Sequence, residues 1–309
     1  MTVRAYSSFD TGSGAPGVLA NSAGTLITLL DKCLVDGWTG TTPAGWSKVY
    51  SGTNKAVYRA PLGNRFYLRV DDSNANYAAV TMYETMSDVD TGTGKAPTAA
   101  HVSAGTVYWL KSSHSSAIWY LVADEKFVMF HTQYDTNFDW RNGTGGWFGD
   151  TVPYLSFDQY ATLLHGEAST SASSSSWVCS TSNNGAGSWL MHPWHGLWTG
   201  ATPVLRAPAS PMYTANESDN YTNIFTTTPH HTGRTLISPL VLYDGVSAGY
   251  TPRARVPGVW LVHGNASFYQ YKMQSLFYGA GDMSGRIFRG VGVVSSSYLL
   301  LEVSDTWYR

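Results

Sequence analysis

The stretch Phe66-Tyr67-Leu68-Arg69-Val70-Asp71 alternates apolar and polar side chains, with Phe66, Leu68 and Val70 on one side. A period of two sends successive side chains to opposite faces of an extended chain, so the stretch predicts a strand with one apolar face. Asp71-Asp72-Ser73-Asn74 supplies the turn that ends it. Upstream, residues 46–50 and 55–60 flank Ser51-Gly52-Thr53-Asn54 and read as a hairpin. Downstream, residues 78–83, 107–111, 117–122 and 126–132 continue the series, with Asp124-Glu125 as a turn. Residues 185–195, 236–243, 256–263, 286–294 and 298–303 extend it between Pro- and Gly-rich turns. There is no internal repeat of fixed period. Many short strands with little helix predict a mainly β fold, a β-sandwich or barrel-like architecture.

One helix interrupts the series. Leu26, Leu29, Leu30, Cys33 and Leu34 recur at helical spacing, with Ser22 placed to cap the start and Gly37 to stop the end. A short second helix is predicted over residues 157–165, capped by Ser156 and stopped by Gly166. Residues 1–21 are polar and glycine-rich and read as an extended arm. The serine run at 169–176 reads as a loop or linker. The expected organisation is therefore an arm (1–21), a helix plus β-rich region (22–168), the serine-rich linker (169–176) and a second β-rich region (177–309). The second region is free to pack as one unit with the first.

Composition narrows the function. Charged residues are 13% of the 309, about half the usual ~25%, and the net charge is −2. Twelve Trp, 20 Tyr and 11 Phe give ample surface to bury, which excludes disorder driven by charge. No basic face is available to attract nucleic acid, and no apolar run approaches a membrane span, so neither is expected as a partner. The first ten residues carry no signal pattern, so synthesis in a cytoplasm is expected. Cys33 and Cys179 are too few for a disulfide framework and are expected to be reduced.

Motifs for chemistry are weak. His192-Pro193-Trp194-His195 lacks the helical His-x-x-x-His spacing, and His230-His231 would complete a cluster only through a fold contact. The acidic candidates for glycoside hydrolysis are Asp71-Asp72, Asp88 with Asp90, Asp124-Glu125 and Asp150. Each sits where Asp is an ordinary turn residue. Gly-x-Ser-x-Gly and Gly-x-x-x-x-Gly-Lys patterns are absent. The expectation is a chain that is not an enzyme, with no cofactor, no metal and no catalytic residue.

Several short stretches carry a resemblance. Tyr6-Ser7-Ser8, Gly14-Ala15-Pro16-Gly17-Val18-Leu19 and the run from Ala23 to Gly37 resemble the opening of a family of tailed-bacteriophage virion structural proteins. In that family a Gly-Ala-Pro-x-Leu arm leads into a helix ending near Cys-Leu-Val-x-Gly-Phe/Trp. Asp124-Glu125-Lys126-Phe127, Phe148-Gly149-Asp150 followed by Tyr160, Arg253-Ala254-Arg255-Val256-Pro257-Gly258 and Ser304-Asp305-Thr306-Trp307-Tyr308-Arg309 are similar as well. The tract after Pro257-Gly258 departs from the family's proline-rich pattern. The resemblance implies a non-enzymatic virion component that joins other virion structural proteins.

Two roles follow as expectations. In the first, the chain forms a homo-oligomer in the tail, tail tip or baseplate, docking through its arm and through Leu26, Leu30 and Leu34. A head-associated decoration protein is the variant of that role. In the second, it recognises a host-surface carbohydrate, with Trp140 and Trp147 framing the glycine-rich loop 140–147 as glycan contacts.

Overall fold

The structure is a computed structural model that describes residues 2–100, 102–111, 115–133, 143–167, 169–170, 187–192, 204–206, 236–246, 249–263, 276–293 and 297–307. Over these residues the chain is mainly β, built from antiparallel sheets with one α-helix among the described residues. The helix-side sheet contains Ser47–Gly52, Lys55–Arg59, Tyr67–Asp71, Tyr77–Tyr83 and Val107–Leu110, in that order. The central sheet runs Arg4–Ser7, Trp119–Ala123, Phe127–Gln133, Gly143–Asp150, Thr162–His165 and Ser188–Leu190. The distal sheet runs Val204–Arg206, Leu236–Val246, Gly249–His263, Ser297–Glu302, Ile287–Val293 and Leu276–Tyr278. Val152–Pro153 pairs beside Gly249–His263. Among the described residues no sheet closes into a barrel, and the stacking is sandwich-like.

The central sheet is covered on both faces. Leu121, Val128, Phe130, Phe148 and Leu164 share one core cluster with the helix and with Tyr58, Leu68, Val70 and Trp109 of the helix-side sheet. Val122, Phe127, Met129, Trp147 and Leu163 point the other way, into a cluster with Leu242, Val256, Leu299, Leu301 and Trp307. Hence Trp119–Ala123 is buried at every position, as a strand read from a continuous apolar run should be. The expected 169–176 boundary does not separate the strands, since Thr162–His165 pairs with Ser188–Leu190 across it.

The helix Thr25–Leu30 continues as a wider π-helical turn, Asp31–Asp36, and stops at Gly37, whose φ is 71°. The cap expected from Ser22 is not formed. Asp72 caps it instead: its carboxylate accepts the Leu26 and Ile27 N–H groups at 2.8 and 3.3 Å. Orphan donors of a first helical turn favour such an anion. Lys111, fully buried, lies 2.7 Å from the same carboxylate. Burial pushes Asp72 up and Lys111 down, and their mutual contact opposes both shifts.

Two further expectations are corrected. Residues 157–165 form no second helix: a turn at 158–160 leads into the strand Thr162–His165. Its four side chains are all buried between two sheets, so burial on both faces decides against a one-sided helical stripe. The arm is not free either. Arg4–Ser7 pairs with Trp119–Ala123, and Leu19–Ala20 with Ser116–Ala117. Tyr6 is buried, and the Trp119 indole donates to the Gly17 carbonyl at 2.5 Å. The arm closes an edge that would otherwise expose unpaired backbone groups.

Candidate functional site

Leu26, Leu30 and Leu34, expected as docking residues, are fully buried in the chain's own core. They reach no partner while the domain stays folded. Helical spacing marks a stripe that must be covered, and here the two sheets cover it. Trp147 is 2% exposed, its ring 4.8 Å from that of His165, so it offers no face to a sugar. Trp140 lies outside the described residues, as do Cys179, His195, His230 and His231.

His192 finds an acidic partner that its sequence neighbourhood does not show. Its Nε2 meets the Glu84 carboxylate, and its ring lies edge-on to Tyr160 at 5.1 Å. Among the described residues no three ligand-type side chains gather into a metal site. The acidic pairs are occupied in turns and ion pairs. Asp124 accepts the Lys126 and Phe127 N–H groups at 2.7 and 2.8 Å. Asp71 accepts from Ser73 and Arg69. Asp90 is held below the usual carboxylate range by hydrogen bonds from Lys55 and Arg69.

Four of the short stretches that carry the resemblance, 124–127, 148–150, 253–258 and 304–309, meet at one corner. Asp150 N–H donates to the Lys126 carbonyl at 3.0 Å, joining the 148–150 and 124–127 turns. Phe127 packs edge-on against Trp307, with ring centroids 6.2 Å apart. A Cβ on Gly258 would lie 2.4 Å from the Trp307 indole nitrogen, and Gly258 has φ +68°, so glycine alone suits this close approach. Val3 N–H donates to the Asp305 carbonyl at 2.8 Å, and the Trp46 indole to the Asp124 carbonyl at 2.8 Å. The corner thus ties all three layers and the arm.

From this corner the chain leaves as the loop 153–158. Three large apolar side chains stand exposed on it: Tyr154 (50%), Leu155 (47%) and Phe157 (65%). Leu62, also exposed, sits on a second loop fixed to the same corner by the Asn64 N–H to Asp150 bond of 2.6 Å. The base of loop 153–158 is rigid. Arg253 grips the buried Asp158 carboxylate through Nε at 2.7 Å and Nη2 at 3.0 Å. Its own carbonyl accepts the Tyr154 N–H at 2.9 Å, and Asp158 N–H donates to the Leu155 carbonyl at 3.0 Å. A bidentate, desolvated pair of this kind fixes geometry. Sequence reasoning missed the loop because Phe157 fitted a helical stripe. Pro153, Asp158 and β-branched Thr162 were the signals against it.

The chain matches no protein-family model and no curated protein.

Proposed function

We propose that the chain is a non-enzymatic structural component of a tailed-phage particle, seated in the virion's tail, tail tip or baseplate. Its partners are other virion structural proteins and copies of itself. The observation that carries this reading is the corner. Four of the stretches that resemble a virion family meet there, and a clamped loop leaves Tyr154, Leu155 and Phe157 exposed. Ordering a loop before binding removes part of the entropy cost of association. Large apolar side chains on such a loop are the usual anchors of an interface, worth about 2 kcal/mol or more each at its centre.

Leu155→Asp and Phe157→Asp test the reading in particles of the phage that encodes the chain. Both variants should fold, since both side chains are exposed, yet be depleted from purified particles at least tenfold. Full incorporation of both would remove the loop from the assembly role. Absence of the wild-type chain from particles would remove the role itself.

A further inference from the structure

Both fully buried histidines among the described residues, His131 and His165, lie on the same face of the central sheet, the one covered by the distal sheet. Strand register places them there. His165 pairs with Trp147, whose ring belongs to the cluster shared with the distal sheet, and His131 lies on the Met129 side of its strand. Glycines seat the imidazoles. Gly145 is the cross-strand partner of His131, and a Cβ there would come within 3.1 Å of its ring. Gly187 lies beside His165, with 3.7 Å from a Cβ position to Cε1, an ordinary contact; its tight approach is to the Gly166 carbonyl. His165 Nδ1 shares a hydrogen bond of 2.7 Å with Ser188 Oγ.

The surroundings favour neutral rings. Tyr120 sits directly across from His131, and the Arg289 guanidinium of the distal sheet lies 4.3 Å over the Tyr120 ring. Glu167, buried, follows His165 by two residues. From the distal sheet, Arg253 is committed to Asp158, and Glu302 to Trp260 and Arg286. The remaining described side chains of the layer are mostly aliphatic, among them Leu240, Leu242, Val256 and Leu299. Charging either imidazole there means placing a cation in a largely apolar, buried layer.

We propose that the contact between the central and distal sheets is an acid-labile joint, held shut by neutral His131 and His165. Burial pushes both rings down to about 3 from the usual 6.5. An open joint would bind protons from pH 6.5 downward, whereas the closed joint would not. Stability of the joint is therefore complete above pH 6.5 and is lost as pH falls from 6.5 toward 3. Between pH 6.5 and 4.5 the opening constant should rise roughly 50-fold per histidine, or ~2,500-fold for both. The other layer contact, between the central sheet and the helix with its helix-side sheet, is built on Leu26, Leu30, Tyr58, Trp109, Phe130 and Leu164. It has no histidine among its described buried residues.

Hydrogen exchange at pH 7.0 and 4.5, corrected for intrinsic rates, tests this on the whole chain. Acidification should strip protection from Gly249–His263 and Ser297–Glu302 while Lys55–Arg59 and Tyr67–Asp71 keep theirs. Uniform loss across all layers, or no loss at pH 4.5, overturns the proposal. His131→Gln and His165→Gln should each move the opening midpoint to lower pH; unmoved midpoints overturn it. A variant-free readout is the imidazole Cε1–H NMR signal of each ring. Both should stay at neutral shifts until the joint opens, and titration near pH 6.5 in the closed protein would contradict the account.

Discussion

Gly258 is the residue on which the corner turns. Its φ of +68° already disfavours a side chain, and an added methyl would meet the Trp307 indole at 2.4 Å. Gly258→Ala should therefore cost about 2 kcal/mol or more in denaturant unfolding, by strain and by displacing Trp307 from Phe127. A change below about 0.5 kcal/mol would show that the indole moves freely. Leu30 makes the opposite kind of prediction. Fully buried beside Leu26 and Leu34, it should cost about 2–5 kcal/mol as Leu30→Ala, and Leu30→Asp should not fold. A folded Leu30→Asp protein would restore the docking role to this stripe. The sequence displayed these leucines as a stripe without saying what covers it. Periodicity reports that a face is buried, and whether the cover is the same chain or another is decided by contacts as far along the chain as Trp189 and Met191.

At the scale of elements, the arm and the loop 153–158 exchange the roles their sequences suggest. The glycine-rich arm looked like a tether, yet it adds an edge strand to the central sheet and buries Tyr6 and Leu19. Deleting residues 1–21 should lower the thermal midpoint by several degrees, as a loss of about 1–3 kcal/mol would do. An unchanged midpoint would mean that the strand pairing contributes nothing. The loop, only the end of which is predicted to open a helix at Phe157, is the exposed element. Phe157→Ser should leave stability within about 0.5 kcal/mol, because little packing is lost from so exposed a ring. Arg253→Met should loosen the loop and leave Asp158 buried without its cation, costing about 3–5 kcal/mol. The strand from Tyr67 to Asp71 was legible because one of its faces is packed far more closely than the other. Strand Thr162–His165 was not, because burial on both faces erases the alternation that distinguishes strand from helix.

For the whole molecule, the mainly β character was legible from strand spacing and from the shortage of charge. The three-layer stacking was not, since it depends on one sheet serving two cores. The same shortage of charge bears on assembly. Nineteen Lys and Arg against 21 Asp and Glu build no like-charged block in the sequence, and the loop residues 153–157 carry no charge at all. Particle association carried by Tyr154, Leu155 and Phe157 should therefore resist salt, because exposed ion pairs contribute only about 0–1 kcal/mol each and screening cannot reach apolar contacts. The most direct measurement is the occupancy of this chain in purified phage particles, wild type beside Phe157→Asp, before and after a wash in about 1 M NaCl, where the screening length is roughly 3 Å. The account predicts wild-type occupancy that survives the wash and a folded variant that is missing from the particle. Equal occupancy of the two, or release of the wild type by salt, would contradict it.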